Sequence, residues 1–407
     1  MDEMERGYLS DPLAGDFTAK VKKVEYAGDG KRKVWLDRTF FYPESGGQPD
    51  DRGTLGGFKV EAVSEDDSGV CHLVKGALEA GDEINGHVDM ARRFDHMQQH
   101  TGQHILSRIF VSLGGLMTVG FHLGEKSSTI DLSGPASDDM IAKAEREANA
   151  VVFQDLPVAA RVITREEYES AKDEGDGVRS RLPEGTGSIR IVEIEDTDSS
   201  TCCGTHCLST GMVGTIKITH TENVRGGVRV EFLCGGRALG DYGEKHALLA
   251  ALGTSMSTDW RELDGIIEKL VSENKAMRKE RDALSREVAG YRADEIGEPS
   301  GEIGGYGLVR KIFDGADTGE VREMATKIKG SGGKIILFGI VSPAPGLVFA
   351  CDPAISADMG AALREAAAVI GGKGGGGRDF AQGGGGDPSK IEEALDAAEK
   401  MIREALA

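Results

Sequence analysis

Two short half-sites about a hundred residues apart constrain the fold of this chain most: His100-Thr101-Gly102-Gln103-His104 and Cys202-Cys203-Gly204-Thr205-His206. Each sets two metal-competent side chains four positions apart. Residues i and i+4 share one helix face, so His100 and His104 can aim at a single ion. Neutral imidazoles and a thiolate suit Zn²⁺. A lone His-x3-His reads as a polar stripe. Beside a Cys-x3-His, in a chain with only six cysteines, the pair reads as a zinc centre of His100, His104, Cys202 and His206. The chain must then fold so that positions 100 and 206 meet.

Four protein ligands describe a closed structural site, whereas catalysis needs a displaceable ligand or an ion that expands to five-coordinate. The His pair encloses Thr-Gly-Gln, so the His-Glu-x-x-His arrangement with its general base is absent, which disfavours metallopeptidase chemistry. Cys203 and Cys207 flank the proposed ligands and either could replace Cys202 geometrically. Cys202 ranks first because its spacing to His206 repeats the four-residue step. His96, one turn before His100, reads as a polar helix side chain.

The chain of 407 residues has room for two to four domains. No apolar run approaches the ~20 residues of a membrane span. The acidic start, Met-Asp-Glu-Met-Glu-Arg, is not a signal peptide, and the clustered cysteines do not resemble a disulfide framework. Both point to the cytoplasm. A net charge of −20 argues against a globally basic nucleic-acid binder. A local strip of Lys20, Lys22, Lys23, Lys31, Arg32 and Lys33 reads equally as an RNA contact or a solvated edge. Aromatic residues are scarce, which disfavours an extended base-stacking platform.

Short alternating runs such as Lys33-Val34-Trp35-Leu36 and Val70-Cys71-His72-Leu73-Val74 predict a small β-barrel-like domain over 1–92. A helix over 90–113 carries the His pair. An α+β domain over 93–250 contains a strand at 128–132, a helix at 136–153, and alternating runs at 189–194 and 228–233. Leu263, Leu270, Met277, Leu284 and Tyr291 then fall seven apart. Ile267, Asn274, Arg281 and Val288 hold the companion positions, so 258–293 predicts a long helix that either forms a coiled coil or lies on its own protein's surface. Residues 293–305 read as a linker. Strand runs at 306–313, 334–341 and 347–351 alternate with helices at 317–329, 356–370 and 388–406, predicting a compact α/β domain over 300–407. The fold class is α+β.

Two glycine motifs complete the picture. In Phe41-Tyr42-Pro43-Glu44-Ser45-Gly46-Gly47-Gln48-Pro49 the glycines allow a sharp turn and a close approach of backbone to ligand. The segment 371–384, interrupted by Arg378-Asp379-Phe380-Ala381-Gln382, has the composition of a flexible linker yet sits between two helices. It is no Walker loop, because no Ser or Thr follows Lys373. Glycine amides there could bind phosphate, with Lys373 and Arg378 supplying charge.

The turn motif, the His-Thr-Gly-Gln-His pair, Gly185-Thr186-Gly187-Ser188-Ile189-Arg190, and Asp198 four residues before Cys-Cys-Gly-Thr-His occur here in order. Together they resemble the editing domain of alanyl-tRNA synthetase and its free-standing relatives, the trans-editing AlaX proteins. The segment 371–384 is similar to the signature of the DHHA1 domain that ends those synthetases. The resemblance spans nearly the whole chain. With the editing motif starting inside the first fifty residues, no room precedes it for an aminoacylation domain, so the pattern is that of a long-form AlaX protein.

The resemblance implies hydrolysis of the ester joining a wrong amino acid, serine or else glycine, to the 3′ adenosine of tRNA(Ala). Zinc would orient the aminoacyl group, polarise its carbonyl or activate water. It implies a substrate-binding role for Gly46, Gly47 and Gln48, serine recognition by Thr39, and a substrate contact by Gln103. Asp198 would orient a ligand imidazole. The heptad helix and the family's C-terminal domain suggest a homodimer. Cys203 stands where the family usually has glycine. Two rival functions remain: a tRNA-binding or assembly module with structural zinc and no hydrolysis, and editing of Ser-tRNA(Thr).

Overall fold

The computed structural model describes residues 4–173 and 188–407. Gly185-Thr186-Gly187 of the motif ahead of the Cys half-site lies outside the described residues. The chain forms two compact units, residues 1–252 and 253–407.

In the first unit, six antiparallel strands close on themselves: Asp16–Gly28, Lys31–Leu36, Gly69–Lys75, Phe58–Asp66, Gly53–Leu55 and Glu83–Val88, in that spatial order. Inward residues at alternate positions, among them Phe17, Val21, Val34, Val60, Val74 and Ile84, fill its core. Half of the basic strip on its wall is paired within the domain: Lys23 with Glu25 at 2.7 Å, Lys31 with Glu61 at 2.7 Å and Arg32 with Glu79 at 2.5 Å.

The chain leaves the barrel through Asp89, whose carboxylate accepts from the amides of Ala91 and Arg92 and so caps the helix Met90–Gly114. Gly115, at φ 65°, ends it in the left-handed conformation. Fifteen of its residues are buried, far more than one amphipathic stripe. It is covered on several sides because its flanks touch different elements. Ile105, Leu106, Ile109 and Phe110 pack with the helix Asp138–Phe153 and the sheet formed by Ile216–Val224, Gly227–Cys234, Ser128–Leu132 and Thr118–Leu123, in that order. Near its start, the guanidinium of Arg93 grips both carboxylate oxygens of Asp51 and the carbonyl of Pro12. Both partners are fully buried, so this ion pair ties the helix to the barrel's connecting loop. A separate three-stranded sheet, Val158–Thr164, Ser188–Ile194 and Asp198–Thr201, delivers the chain to Cys202.

The second unit is a six-stranded sheet between two helical layers. Its strand order is Gly301–Ile303, Tyr306–Phe313, Lys334–Ile340, Gly346–Cys351, Phe380–Gly384 and Lys373–Gly376. Helices Met359–Ile370 and Ile391–Leu406 cover one face. The helix Thr318–Gly330, with Ala289 and Ala293 of the long helix Leu263–Ile296, covers the other.

One expectation changes here. Residues 293–305 are no linker: the long helix runs to Ile296, and Gly301–Ile303 is an edge strand paired with Tyr306–Leu308. The glycine-rich segment, linker-like by composition alone, is a hairpin within the sheet. A Cβ on Gly374 would stand 2.6 Å from Gly383 Cα, and one on Gly376 would stand 2.4 Å from Ala381 Cα. Glycine is required there by close strand approach. Among the described residues no helix is long and apolar enough to cross a membrane.

Candidate metal centre

The two half-sites converge. One ligand atom each from His100, His104, Cys202 and His206 lies within 4.8 Å of all the others. Cys202 Sγ is 3.3 Å from His100 Nε2 and 3.2 Å from His206 Nε2. Ligands bound tetrahedrally at about 2.0–2.3 Å stand roughly 3.3–3.7 Å apart, so the set is close to the spacing that one zinc-sized ion imposes.

The orientation of the rings carries the fit further. His100 Nδ1–H donates to Gln48 Oε1 at 2.8 Å. His104 Nδ1 faces Asp198 Oδ2 at 3.3 Å, and His206 Nδ1 faces Thr101 Oγ1 at 3.2 Å. Each imidazole is thus held by its outer nitrogen, which leaves Nε2 for the shared centre, the usual arrangement of metal-bound histidine. Thr101 also accepts from the amide of Cys207 at 3.0 Å. Gln48 Nε2 donates to Thr205 Oγ1 at 2.9 Å. The threonine inside each half-site therefore braces the opposite half.

The electrostatics suit a cation. Burial opposes ionisation of the Cys202 thiol, but His100 and His206 override it and hold the group well below its ordinary value, as a thiolate. Burial and neighbouring His100 push His206 down to about 3, keeping that imidazole neutral. Burial also disfavours the charged form of His104, yet Asp198 and Cys202 prevail and raise it to about 9. Arg190 fixes the loop from beneath, donating to the carbonyls of Cys202 at 2.7 Å and Gly204 at 3.0 Å.

The open choices of ligand narrow. Cys202 is in the cluster, whereas Cys203 is exposed and Cys207 is buried with its thiol pushed up to about 12 by burial. His96 is buried outside the ligand set, pushed down to about 4 by burial. The family's glycine at position 203 is not demanded by crowding on the inner side, since Cys203 points to solvent. The neighbouring Gly204 is demanded: a Cβ there would stand 2.2 Å from His100 Cε1.

Three residues expected to meet a substrate are buried, as the ligand histidines are. Gln48 is fully buried, with its amide committed to His100 and Thr205. Thr39 is fully buried in the barrel. Its hydroxyl contacts His72 Nε2 at 2.8 Å and accepts from the amide of Phe41 at 3.1 Å. His72 Nδ1 donates to the Val34 carbonyl at 3.0 Å, so Nε2 is an acceptor and the Thr39 proton points to it. Gln103 Nε2 donates to Ser107 Oγ at 2.7 Å, and Ser107 bonds Thr118 at 2.7 Å. Gly46 and Gly47 do stand exposed, with φ of 54° and 80°. Lys373 and Arg378 belong to the second unit, where both are exposed, one opening the edge strand of the hairpin and the other in its turn. Thr101, Thr205 and Arg190 were not singled out from sequence. Their position inside or beside the motifs was the available signal.

Three family models match the chain. The "DHHA1 domain" covers residues 304–404. The "Threonyl and Alanyl tRNA synthetase second additional domain" covers 189–230. The "tRNA synthetases class II (A)" model covers 12–92, the stretch that folds as the barrel. Among curated relatives, the alanyl-tRNA editing protein AlaX-L of Pyrococcus horikoshii is 30% identical over 98% of each chain. The alanyl-tRNA editing protein Aarsd1 of Bos taurus is 33% identical over 70% of this chain and 67% of its own. The alanine–tRNA ligase of Methanosarcina barkeri is 31% identical over all of this chain, which spans 45% of the ligase.

Proposed function

Because the chain belongs to the AlaX family of alanyl-tRNA editing proteins, we propose that it is a trans-editing hydrolase. Its substrate is tRNA(Ala) wrongly charged with serine, or with glycine, and it cleaves the 3′-terminal aminoacyl ester. The observation that carries this reading is the convergence of His100, His104, Cys202 and His206 beside the exposed Gly46-Gly47 turn.

Zinc is the cofactor that the donor set fits, and when bound it would polarise the ester carbonyl or activate water. The residues of the chain do the rest. Gln48, Asp198 and Thr101 hold the three imidazoles by their outer nitrogens. The open side of the glycine turn, over Gly46, leaves room for the aminoacyl group. Both glycines hold a left-handed φ that residues with a Cβ rarely adopt. No side-chain base is required, since an ester is readily cleaved once positioned. Lys373 and Arg378, on the DHHA1-like unit, are the cations offered to the tRNA backbone. Six unpaired cysteines suit the reducing cytoplasm, where charged tRNA resides.

Editing of Ser-tRNA(Thr) is the second reading, since one matched model describes threonyl and alanyl enzymes together. The DHHA1 match favours alanine-tRNA. The deciding experiment measures deacylation of Ser-, Gly- and Ala-tRNA(Ala) and of Ser-tRNA(Thr) by zinc-replete protein. Hydrolysis of Ser-tRNA(Ala) with sparing of Ala-tRNA(Ala) is expected. No hydrolysis of any substrate would leave only a binding module with a structural metal.

A further inference from the structure

We propose that Phe121 is the stacking platform for the terminal adenine base of the tRNA, at the mouth of the metal centre. Phe121 lies on Thr118–Leu123, the edge strand of its sheet. Its ring centroid is 6.0 Å from that of His100, at 38° to it. Its ring also covers the glycine turn so closely that a Cβ on Gly47 would stand 2.9 Å from it. The strand and the turn are joined, because the Leu123 amide donates to the Gly47 carbonyl at 3.1 Å. Yet the side chain is 38% exposed, while His100 beside it is 2% exposed.

What sets Phe121 apart is its place: a partly exposed ring beside a buried, polar centre and against the glycine turn. Its backbone is fixed by pairing with Ile130 and by the buried Leu123 next to it, so it is presented rather than loosely tethered. An ester positioned at the metal centre places the nucleobase one ribose away from the reacting carbonyl. The Phe121 ring lies within that reach, beside both His100 and Gly47. Phenylalanine has no hydrogen-bonding group, so it would hold a base through its π face, which every nucleobase offers and purines offer most broadly. Scarcity of aromatic residues elsewhere is consistent with one base being held and not a run of them.

The proposal rests on the editing reading, but it is tested by binding alone. The probe is 5′-AMP with the zinc-replete full chain. In Phe121→Trp, AMP should quench the added indole emission above the background of Trp35 and Trp260. Saturation transfer from wild-type protein to the adenine protons should fall roughly 10-fold or more in Phe121→Ala, the range expected for loss of one stacked base. Weaker transfer to UMP than to AMP is also expected. Zinc content, measured alongside, shows whether each variant keeps its fold. Absence of AMP binding to wild type, or equal AMP binding by Phe121→Ala, would overturn the subsite. Deacylation is scored separately: AMP binding at Phe121 without hydrolysis overturns the editing reading only, and hydrolysis with AMP binding insensitive to Phe121 overturns this subsite only.

Discussion

Gln48 Oε1 accepts a hydrogen bond from His100 Nδ1 at 2.8 Å and another from the Thr205 amide at 3.2 Å, so one buried amide from the glycine turn joins both metal half-sites. Partners of this kind fix the tautomer of a metal-binding imidazole and its direction. Their loss lowers metal affinity by about 10–100-fold. Gln48→Ala should therefore weaken zinc binding within that range in competition with a chromophoric chelator. Gln48→Glu keeps an acceptor for His100 and should recover most of the loss. Equal affinity in all three proteins would show that the turn and the metal are independent.

His104 is the ligand whose outer nitrogen faces a carboxylate, that of Asp198. His104→Ala should lose bound zinc and deacylation together. Full zinc content in that variant would take His104 out of the ligand set.

The Arg93–Asp51 pair predicts a stability effect remote from the chemistry. Both side chains are fully buried. Removing one partner leaves the other charged and without water, a loss of about 3–5 kcal/mol. Asp51→Ala should lower the urea midpoint accordingly, and replacing both residues with leucine should restore part of it. A midpoint unchanged by Asp51→Ala would mean that Arg93 finds other compensation.

His72 predicts how stability follows pH. Burial pushes it down to about 4, against the opposing bond to the Val34 carbonyl, whereas an unfolded histidine titrates near 6.5. Between those values the unfolded chain binds the extra proton. Stability should therefore be complete above about pH 6.5 and fall toward pH 4, by up to ~1.4 kcal/mol per unit. His96, also pushed down to about 4, adds a second increment of the same sign. Urea midpoints measured at pH 7, 6 and 5 should show a shallower slope for His72→Gln than for wild type. Identical slopes would assign the effect to other groups.

The histidine helix could be read from sequence because its signals are local: an aspartate cap at 89, a glycine stop at 115, and the ligand pair between them. Spacing, with cysteine scarce, pointed to the four candidate ligands but left Cys203 and Cys207 as alternatives to Cys202. The enclosure of Gln48 and Thr39 could not be read from sequence, since their partners come from elements 33 to 157 residues away, as for Thr39 with His72 and Gln48 with Thr205. Composition alone would suggest a free linker at 371–384, where glycine marks strands pressed together. It also hid the helix Gly235–Met256, whose several glycines lower helix propensity.

The long helix carries the last prediction. Of the residues spaced seven apart, Leu270, Met277 and Leu284 are about half exposed and Tyr291 is 70% exposed. Ile267 and Val288 in the companion positions are open as well. Only Leu263, Ala289 and Ala293 of this helix are buried, so the seam is not resting on its own unit. Isolated exposed apolar residues are ordinary, but a stripe of them along one helix face, here interrupted by Asn274 and Arg281, marks an association surface. A second copy of the chain, with its seam facing this one, would cover the stripe, and Asn274 among apolar neighbours would favour one register. Sedimentation equilibrium should give twice the chain mass of 43.2 kDa. Leu270→Glu with Leu284→Glu should shift it to one chain while leaving zinc content intact. A wild-type monomer at micromolar concentration would mean that the stripe meets something other than itself.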